Sequence, residues 1–439
     1  MEPVTIISVT GFYFKRKEED NMDKTKTETK GFHILAKPSG PICNLDCHYC
    51  FYTEKEALFS GKNRFRMSDE TLEEFVIQYI KAQDVDEIPF VWQGGEPTLM
   101  GLGFYKRVIE LQKKHGKGKR ITNSLQTNGT LLTEEWCQFL AKHNFLVGLS
   151  LDGPEDIHDR YRVDRGGQPT FHKVLNALHL LKKYKVSFNV LVCVTNNSSK
   201  YPLEIYHFFK SEGVEFIQFI PIVERMPDTE ALKLGLRHAM PPSVKQEEAQ
   251  KAVSSWTVES EKYGDFLIAI FDEWVRKDVG KIHVMNFEHA LTSWLGLPAT
   301  TCFFAETCGR AGIVEHNGDV YSCDHFMYPE YKLGNIYDDT FSEMIDSNKQ
   351  RAFGENKKST LPNYCQSCEV RFACNGECPK QRFLLTPDGE PGLNYLCAGY
   401  KKYFHHIHRY MKVMVQLIDN GLPASEVMDV IKRPLIVKR

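Results

Sequence analysis

No part of this 439-residue chain approaches the roughly 18 uninterrupted apolar residues that a membrane-crossing helix needs, so no span is expected. Charge of one sign is lacking too. Lys and Arg number 55 against 57 Asp and Glu, and a net charge of −2 gives neither the basic field of a nucleic-acid binder nor a polyanionic tail. The one basic run, KKHGKGKR at 113–120, reads as the solvated end of a helix and its turn. The apolar stretch VTIISVTGFYF near the N-terminus has no basic segment before it and acidic residues after it, so the layout of a signal peptide is missing. Residues 1–31 read as an N-terminal extension without a motif, residues 1–21 as not native, and Met22 as the expected true start. There is no internal repeat and no low-complexity linker. Without an export signal a disulfide scaffold is not expected, and a cytoplasmic protein with no membrane or nucleic-acid partner is.

Cysteine is what the chain has in abundance, with thirteen. The first three, Cys43, Cys47 and Cys50, lie in PICNLDCHYC (41–50), separated by three residues and then two. What this motif lacks is a fourth cysteine. A structural zinc site closes with four ligands, and ferredoxin-type [4Fe–4S] clusters are also held by four. Three thiolates leave one iron of a cubane open to a small molecule, which is the logic of a cluster that binds and reduces a ligand. Core packing does not suit three cysteines in a loop rich in Pro, Asn and Asp.

Apolar, β-branched runs recur at 32–36, 88–92, 120–126, 145–153, 186–195 and 214–223, and helical patterns fill the gaps. The helix opening at Ser68 has a capping residue, an acidic first turn, and Leu72, Phe75, Val76 and Tyr79 at helical spacing. Six strand–helix units predict parallel strands with right-handed crossovers. Six fall short of a closed eight-unit barrel, so the expected fold is α/β, a partial (β/α)6 TIM-like barrel over 32–259. Functional groups of such folds stand on the loops after the strands. PICNLDCHYC follows the first strand, QGGEPTL (93–99) the second, TNGT (127–130) the third, and LSLDGP (149–154) ends the fourth. Every unusual polar motif therefore falls at one end of the barrel.

A helical connection is expected over 260–300 and a Gly- and turn-rich domain over 301–400. That domain holds Cys302, Cys308, Cys323, Cys365, Cys368, Cys374, Cys378 and Cys397, enough for two closed four-cysteine clusters. The helical tail over 401–439 contains His405, His406 and His408, read as surface and packing positions. Only Cys137, on a helix face, and Cys193, in an apolar strand, are left over, and both read as core thiols. Zinc ribbons also use Cys-x2-Cys, so zinc is a rival for the second domain read alone. The first motif favours iron–sulfur.

Cys43-x3-Cys47-x2-Cys50, with Tyr49 before the last cysteine, resembles the signature of radical S-adenosylmethionine (SAM) enzymes. GGEP (94–97) resembles their second motif, which contacts the methionine amino group of the cofactor. Cys308-x9-Gly318-x4-Cys323, then Cys365-x2-Cys368-x5-Cys374-x3-Cys378, then Cys397, is similar to the SPASM domain, an iron–sulfur domain with two auxiliary clusters. Within that group, AKPSGPICNLDCHYCFY, FVWQGGEPTL and CGRAGIVEHNGDVYSCDHF followed by LGNI resemble the anaerobic sulfatase-maturating enzymes, from about residue 32 to the C-terminal helix.

The resemblance implies S-adenosyl-L-methionine and three [4Fe–4S] clusters as cofactors. It implies that Cys302, Cys308, Cys323 and Cys378 hold one auxiliary cluster and that Cys365, Cys368, Cys374 and Cys397 hold the other. It places Tyr52, Gln93, Gly94, Gly95, Glu96, Ser150 and Arg162 around the cofactor and makes Asp324 the general base. The implied reaction oxidises a Cys or Ser of a sulfatase to Cα-formylglycine through hydrogen abstraction by a 5′-deoxyadenosyl radical. The implied partners are an unfolded or nascent sulfatase polypeptide and an electron donor such as flavodoxin or ferredoxin. The alternative is another SPASM-type maturase that forms a thioether or other cross-link. A non-catalytic iron–sulfur or zinc carrier is the more distant rival, and GGEP argues against it because a carrier needs no cofactor pocket.

Overall fold

The computed structural model describes residues 31–59, 65–242, 252–299 and 301–432. The expected extension up to residue 30, Met22 included, lies outside the described residues. Six parallel strands form in chain order: β1 (His33–Lys37), β2 (Glu87–Trp92), β3 (Arg120–Thr127), β4 (Leu146–Ser150), β5 (Ser187–Val194) and β6 (Phe216–Pro221). Each pairs with the next, as the six apolar runs predict. Alternation sorts their faces. In β5, Val190, Val192 and Val194 are buried while Leu191 and Cys193 lie on the opposite face. In β1, Ile34 and Ala36 share one face, and Leu35 and Lys37 the other.

The first connecting helix, α1 (Asp69–Lys81), is capped as expected: Ser68 Oγ accepts from the Thr71 N–H at 3.1 Å. Its Leu72, Phe75, Val76 and Tyr79 are fully buried. Side chains of this size each contribute about 1.5–3 kcal/mol when removed from water, so the apolar stripe outweighs propensity in holding the helix.

The sheet extends past both ends of the six-strand array. The short strand β7 (His283–Val284), after helix α2 (Ser260–Lys277), adds beyond β6. On the other side β8 (Ala311–Glu315) runs parallel to β1 along its whole length, with Lys37 opposite Glu315. The antiparallel strands β9 (Asp319–Tyr321) and β10 (Lys332–Asn335) follow, completing a ten-stranded sheet. The cysteine-rich segment is thus joined to the barrel beside β1, which the spacing of its cysteines gave no hint of. The tail forms α3 (Cys397–Asp419), which packs its Tyr400, Tyr403, Phe404, Ile407, Met411 and Met414 stripe into the core and lies on α2. Its first residue is the last cysteine of the series.

Candidate active site

The cysteine loop after β1 and the QGGEP loop after β2 are laced together through backbone. The Gln93 N–H donates to Ala36 O at 2.9 Å, Gly95 N–H to Gly40 O at 2.8 Å, and Glu96 N–H to Ile42 O at 2.9 Å. Gly95 is required by this approach, since a Cβ there would stand 2.1 Å from Ile42 O. Gly94 is required by its φ of +137°, outside the range that side-chain-bearing residues favour.

Glu96 ties the second loop to the third. Its buried carboxylate accepts from Thr98 N–H (2.9 Å), Thr98 Oγ1 (2.6 Å), Thr127 Oγ1 (2.8 Å) and Asn128 N–H (2.8 Å). Burial raises its pKa, and these bonds only partly offset that. Asn128 continues to Asn44 Oδ1 at 2.9 Å and Cys43 Sγ at 3.7 Å. Burial pushes the Cys43 thiol up to about 12, with the Glu96 charge adding to it, so binding metal there must displace a proton.

Asp152, after β4, is a residue that the sequence reading missed. Buried, it accepts from Tyr49 OH at 2.5 Å, from Arg162 Nε at 2.9 Å and Nη2 at 3.1 Å, and from the Cys193 N–H at 2.9 Å. Arg162 is therefore already in a bidentate ion pair, and its Nη2 also lies 3.4 Å from Cys193 Sγ. Cys193 is not an ordinary core thiol as expected. Strand alternation turns it from the apolar face toward this charged pair. Cys137 is buried as expected. Ser150 Oγ accepts from Gln126 Nε2 at 3.0 Å. The expected surface roles of the tail histidines hold: His405 pairs with Glu369, His406 with Asp272, and His408 accepts from Trp294 Nε1.

Asp324 opens a short 3-10 turn after β9, yet its carboxylate reaches the mouth of the barrel. Lys37 Nζ makes an ion pair with it and also donates to Gln93 Oε1 at 3.3 Å. The same ammonium sits 3.7 Å from the centre of the Tyr52 ring. Tyr52 OH donates to Glu315 Oε1 at 2.5 Å. Burial alone would raise the Asp324 pKa, but the charge of Lys37, then that of His325, outweighs it and holds the carboxyl below its usual value. Lys37 thus gathers three residues that motif resemblance singled out separately. A lysine at the end of an apolar strand carried no signal by itself; the parity of β1, which puts it on the interior face, was the available clue. Beyond Asp324, His325 stacks edge-on to Phe51 with ring centres 5.0 Å apart, and its Nδ1 lies 3.6 Å from Cys378 Sγ.

Eleven of the thirteen cysteines fall into three groups whose thiols act on one another's ionisation, and Cys50 acts on Cys193 as well. Cys43, Cys47 and Cys50 form the first. Cys302, Cys308, Cys323 and Cys378 form the second. Cys365, Cys368, Cys374 and Cys397 form the third. Among the described residues no three metal-binding side chains converge tightly enough to hold a single ion. The donor sets, thiols alone, fit iron–sulfur clusters.

A family model for the radical SAM superfamily matches residues 38–209, and one for the SPASM iron–sulfur cluster-binding domain matches residues 302–369. A serine-type anaerobic sulfatase-maturating enzyme of Bacteroides thetaiotaomicron is 46% identical over 403 residues, covering 92% of this chain and 96% of that protein. A cysteine-type enzyme of Clostridium perfringens is 35% identical over 376 residues, covering 85% and 95%. The solved structure of anSMEcpe with bound AdoMet and a Cp18Cys peptide matches with a TM-score of 0.76 at 34% identity, covering 88% of this chain and 99% of that one. SuiB of Streptococcus suis, at 13% identity and a TM-score of 0.52, shares the fold alone. The chain belongs to the anaerobic sulfatase-maturating enzymes, radical SAM oxidoreductases that carry [4Fe–4S] clusters and a SPASM domain.

Proposed function

We propose that this enzyme oxidises a seryl or cysteinyl residue of a sulfatase polypeptide to Cα-formylglycine, with Asp324 as the base. The single observation that carries the reading is the placement of Asp324. A carboxylate from the cysteine-rich segment stands one lysine away from Gln93, which leads into the QGGEP loop. Serine is favoured as the substrate residue by the higher identity to a serine-type relative.

The three-cysteine loop of Cys43, Cys47 and Cys50 suits the cluster that engages SAM, which when cleaved reductively supplies the radical that abstracts hydrogen. The grouping of the other eight thiols supports one auxiliary cluster on Cys302, Cys308, Cys323 and Cys378 and another on Cys365, Cys368, Cys374 and Cys397. The chain's own residues orient and move protons. Gln93, Gly94 and Gly95 line the cofactor loop, and Tyr52, Ser150 and Arg162 stand around it. Glu96 holds that loop in place through four accepted hydrogen bonds. At the substrate, Cβ loses a hydrogen atom to the radical, the hydroxyl or thiol loses a proton to Asp324 Oδ, and the remaining electron would pass to an auxiliary cluster, such as the one that Cys302, Cys308, Cys323 and Cys378 would hold. Loss of hydrogen from Cβ makes an attached hydroxyl far more acidic, so a carboxylate suffices even for serine.

The substrate is an unfolded or nascent segment, because the residue must reach between barrel and cysteine-rich segment. An electron donor such as flavodoxin or ferredoxin supplies the cluster electron. All thirteen cysteines are unpaired, which supports a reducing, cytoplasmic setting. No described helix is long and apolar enough to cross a membrane.

Two synthetic sulfatase-motif peptides, one with Ser and one with Cys, test the reading anaerobically. Formylglycine and 5′-deoxyadenosine are expected together from the Ser peptide. Asp324→Asn is expected to keep 5′-deoxyadenosine while formylglycine falls about 10²–10⁴-fold, the usual worth of a positioned base. Normal formylglycine from Asp324→Asn would remove it as the base.

A further inference from the structure

We propose that Lys37 is a positioning residue for the reaction: it acts through Asp324, fixing that carboxylate against the cofactor loop. The inference rests on the reading of Asp324 as the base.

Lys37 is 1% exposed, and a buried ammonium is costly unless its charge and donors are met. Its contacts are all at the reaction site: the Asp324 carboxylate, Gln93 Oε1 at 3.3 Å and the face of the Tyr52 ring at 3.7 Å. These partners come from three separate segments: the turn after β9, the loop after β2, and the cysteine loop after β1. An ammonium has three donors and no acceptor, so it can bridge two carbonyl or carboxylate oxygens while the aromatic face takes up part of its charge.

Its cross-strand neighbour would be the ordinary partner for such a lysine, because β8 puts Glu315 directly opposite. Tyr52 OH engages Glu315 at 2.5 Å instead. That hydrogen bond leaves the ammonium for Asp324. Asp324 itself sits in a three-residue turn with no side-chain cap, and its hydrogen bond to Lys37 is what orients it. Without Lys37 the carboxylate would be left to the charges of His325 and Lys380, which draw it away from Gln93.

The test measures formylglycine formed per 5′-deoxyadenosine released, in the iron-loaded, full-length enzyme with the Ser peptide. Normalising to 5′-deoxyadenosine removes losses of folding and of the radical-generating cluster from the comparison, and only variants with wild-type iron content are compared, so that the auxiliary clusters are matched too. Lys37→Met is expected to lower the ratio about 100-fold or more, in the range of a lost base. The Lys37→Met/Asp324→Asn double variant is expected to fall no further than Asp324→Asn alone, because groups acting as a unit are non-additive. A merely structural lysine would multiply the two losses. An unchanged ratio in Lys37→Met, or multiplied losses in the double variant, would overturn the proposal. If Lys37→Met fails to load iron, Lys37→Gln takes its place with the same expectation, and a wild-type ratio there overturns it equally. A wild-type ratio in Asp324→Asn sinks the base assignment itself, a result distinct from a dead Asp324→Asn beside an active Lys37→Met.

Discussion

Replacing Gly95 by Ala is expected to strike the contact between the QGGEP loop and the cysteine loop alone. The added methyl would meet Ile42 O at 2.1 Å, Ile42 C at 2.4 Å and Pro41 C at 2.7 Å, all backbone atoms that cannot rotate away. Contacts below 3.0 Å are not tolerated, so the two loops must part by about 1 Å. Parting them breaks Gly95 N–H to Gly40 O and Glu96 N–H to Ile42 O. Each donor left unpaired costs about 1–3 kcal/mol, so for the two the local loss is about 2–6 kcal/mol. It falls on the segment carrying Cys43, Cys47 and Cys50, while the other eight cysteines lie in a different part of the chain. After anaerobic reconstitution, iron should fall to about two-thirds of the wild-type content. 5′-Deoxyadenosine formation should be lost. Full iron with undiminished 5′-deoxyadenosine would refute the packing argument.

Changing Cys43, Cys47 and Cys50 together to Ala should give the same iron content and abolish SAM cleavage. Stoichiometric zinc with little iron in the anaerobically purified wild type would contradict the cluster reading. Glu96→Gln puts an amide where four donors converge, and urea unfolding should show a loss of about 2–4 kcal/mol; an unchanged midpoint would count against its tying role. Burial lowers the His158 pKa from 6.5 to about 4, and the ring is fixed neutral because Nδ1 accepts from the Asp152 N–H at 3.3 Å. Between those values the unfolded chain binds the proton and the folded one does not. The contribution is therefore complete above pH 6.5 and lost as pH falls toward 4, by about 3 kcal/mol at most. Urea unfolding of wild type and His158→Gln across that range should show the steeper pH dependence in the wild type; parallel curves would refute this.

Much of this enzyme was legible in short stretches of chain. A turn-rich loop with three thiols at fixed spacing has one chemistry that suits it, and the strand before it and the capped helix after it follow from local alternation and capping. The six apolar runs became six parallel strands in order, because each strand–helix unit packs on its neighbour under the same handedness rule. Glycines 94 and 95 were visible as a motif, although only the packed loops show that one is held by its φ and the other by contact with Ile42. The residues that hold the site were not legible. Asp152 and Lys37 lie inside stretches that stood out, LSLDGP and AKPSGPICNLDCHYCFY, but nothing in the sequence singles out either residue within them. Their roles come from what the fold brings to them.

The cysteine sequence determined how many clusters the chain can carry and that one of them is open. Tertiary structure decided which distant residues meet at the QGGEP loop. Lys37 and Asp324 stand 287 positions apart and meet because β8 pairs with β1. A strand pairing satisfies the backbone of both segments wherever they come from in the chain, and its register fixes which side chains share a face. AGIVE, five residues in a Gly-rich stretch, carries no mark of its partner, so only the folded sheet brings Asp324 beside Lys37 and the QGGEP loop.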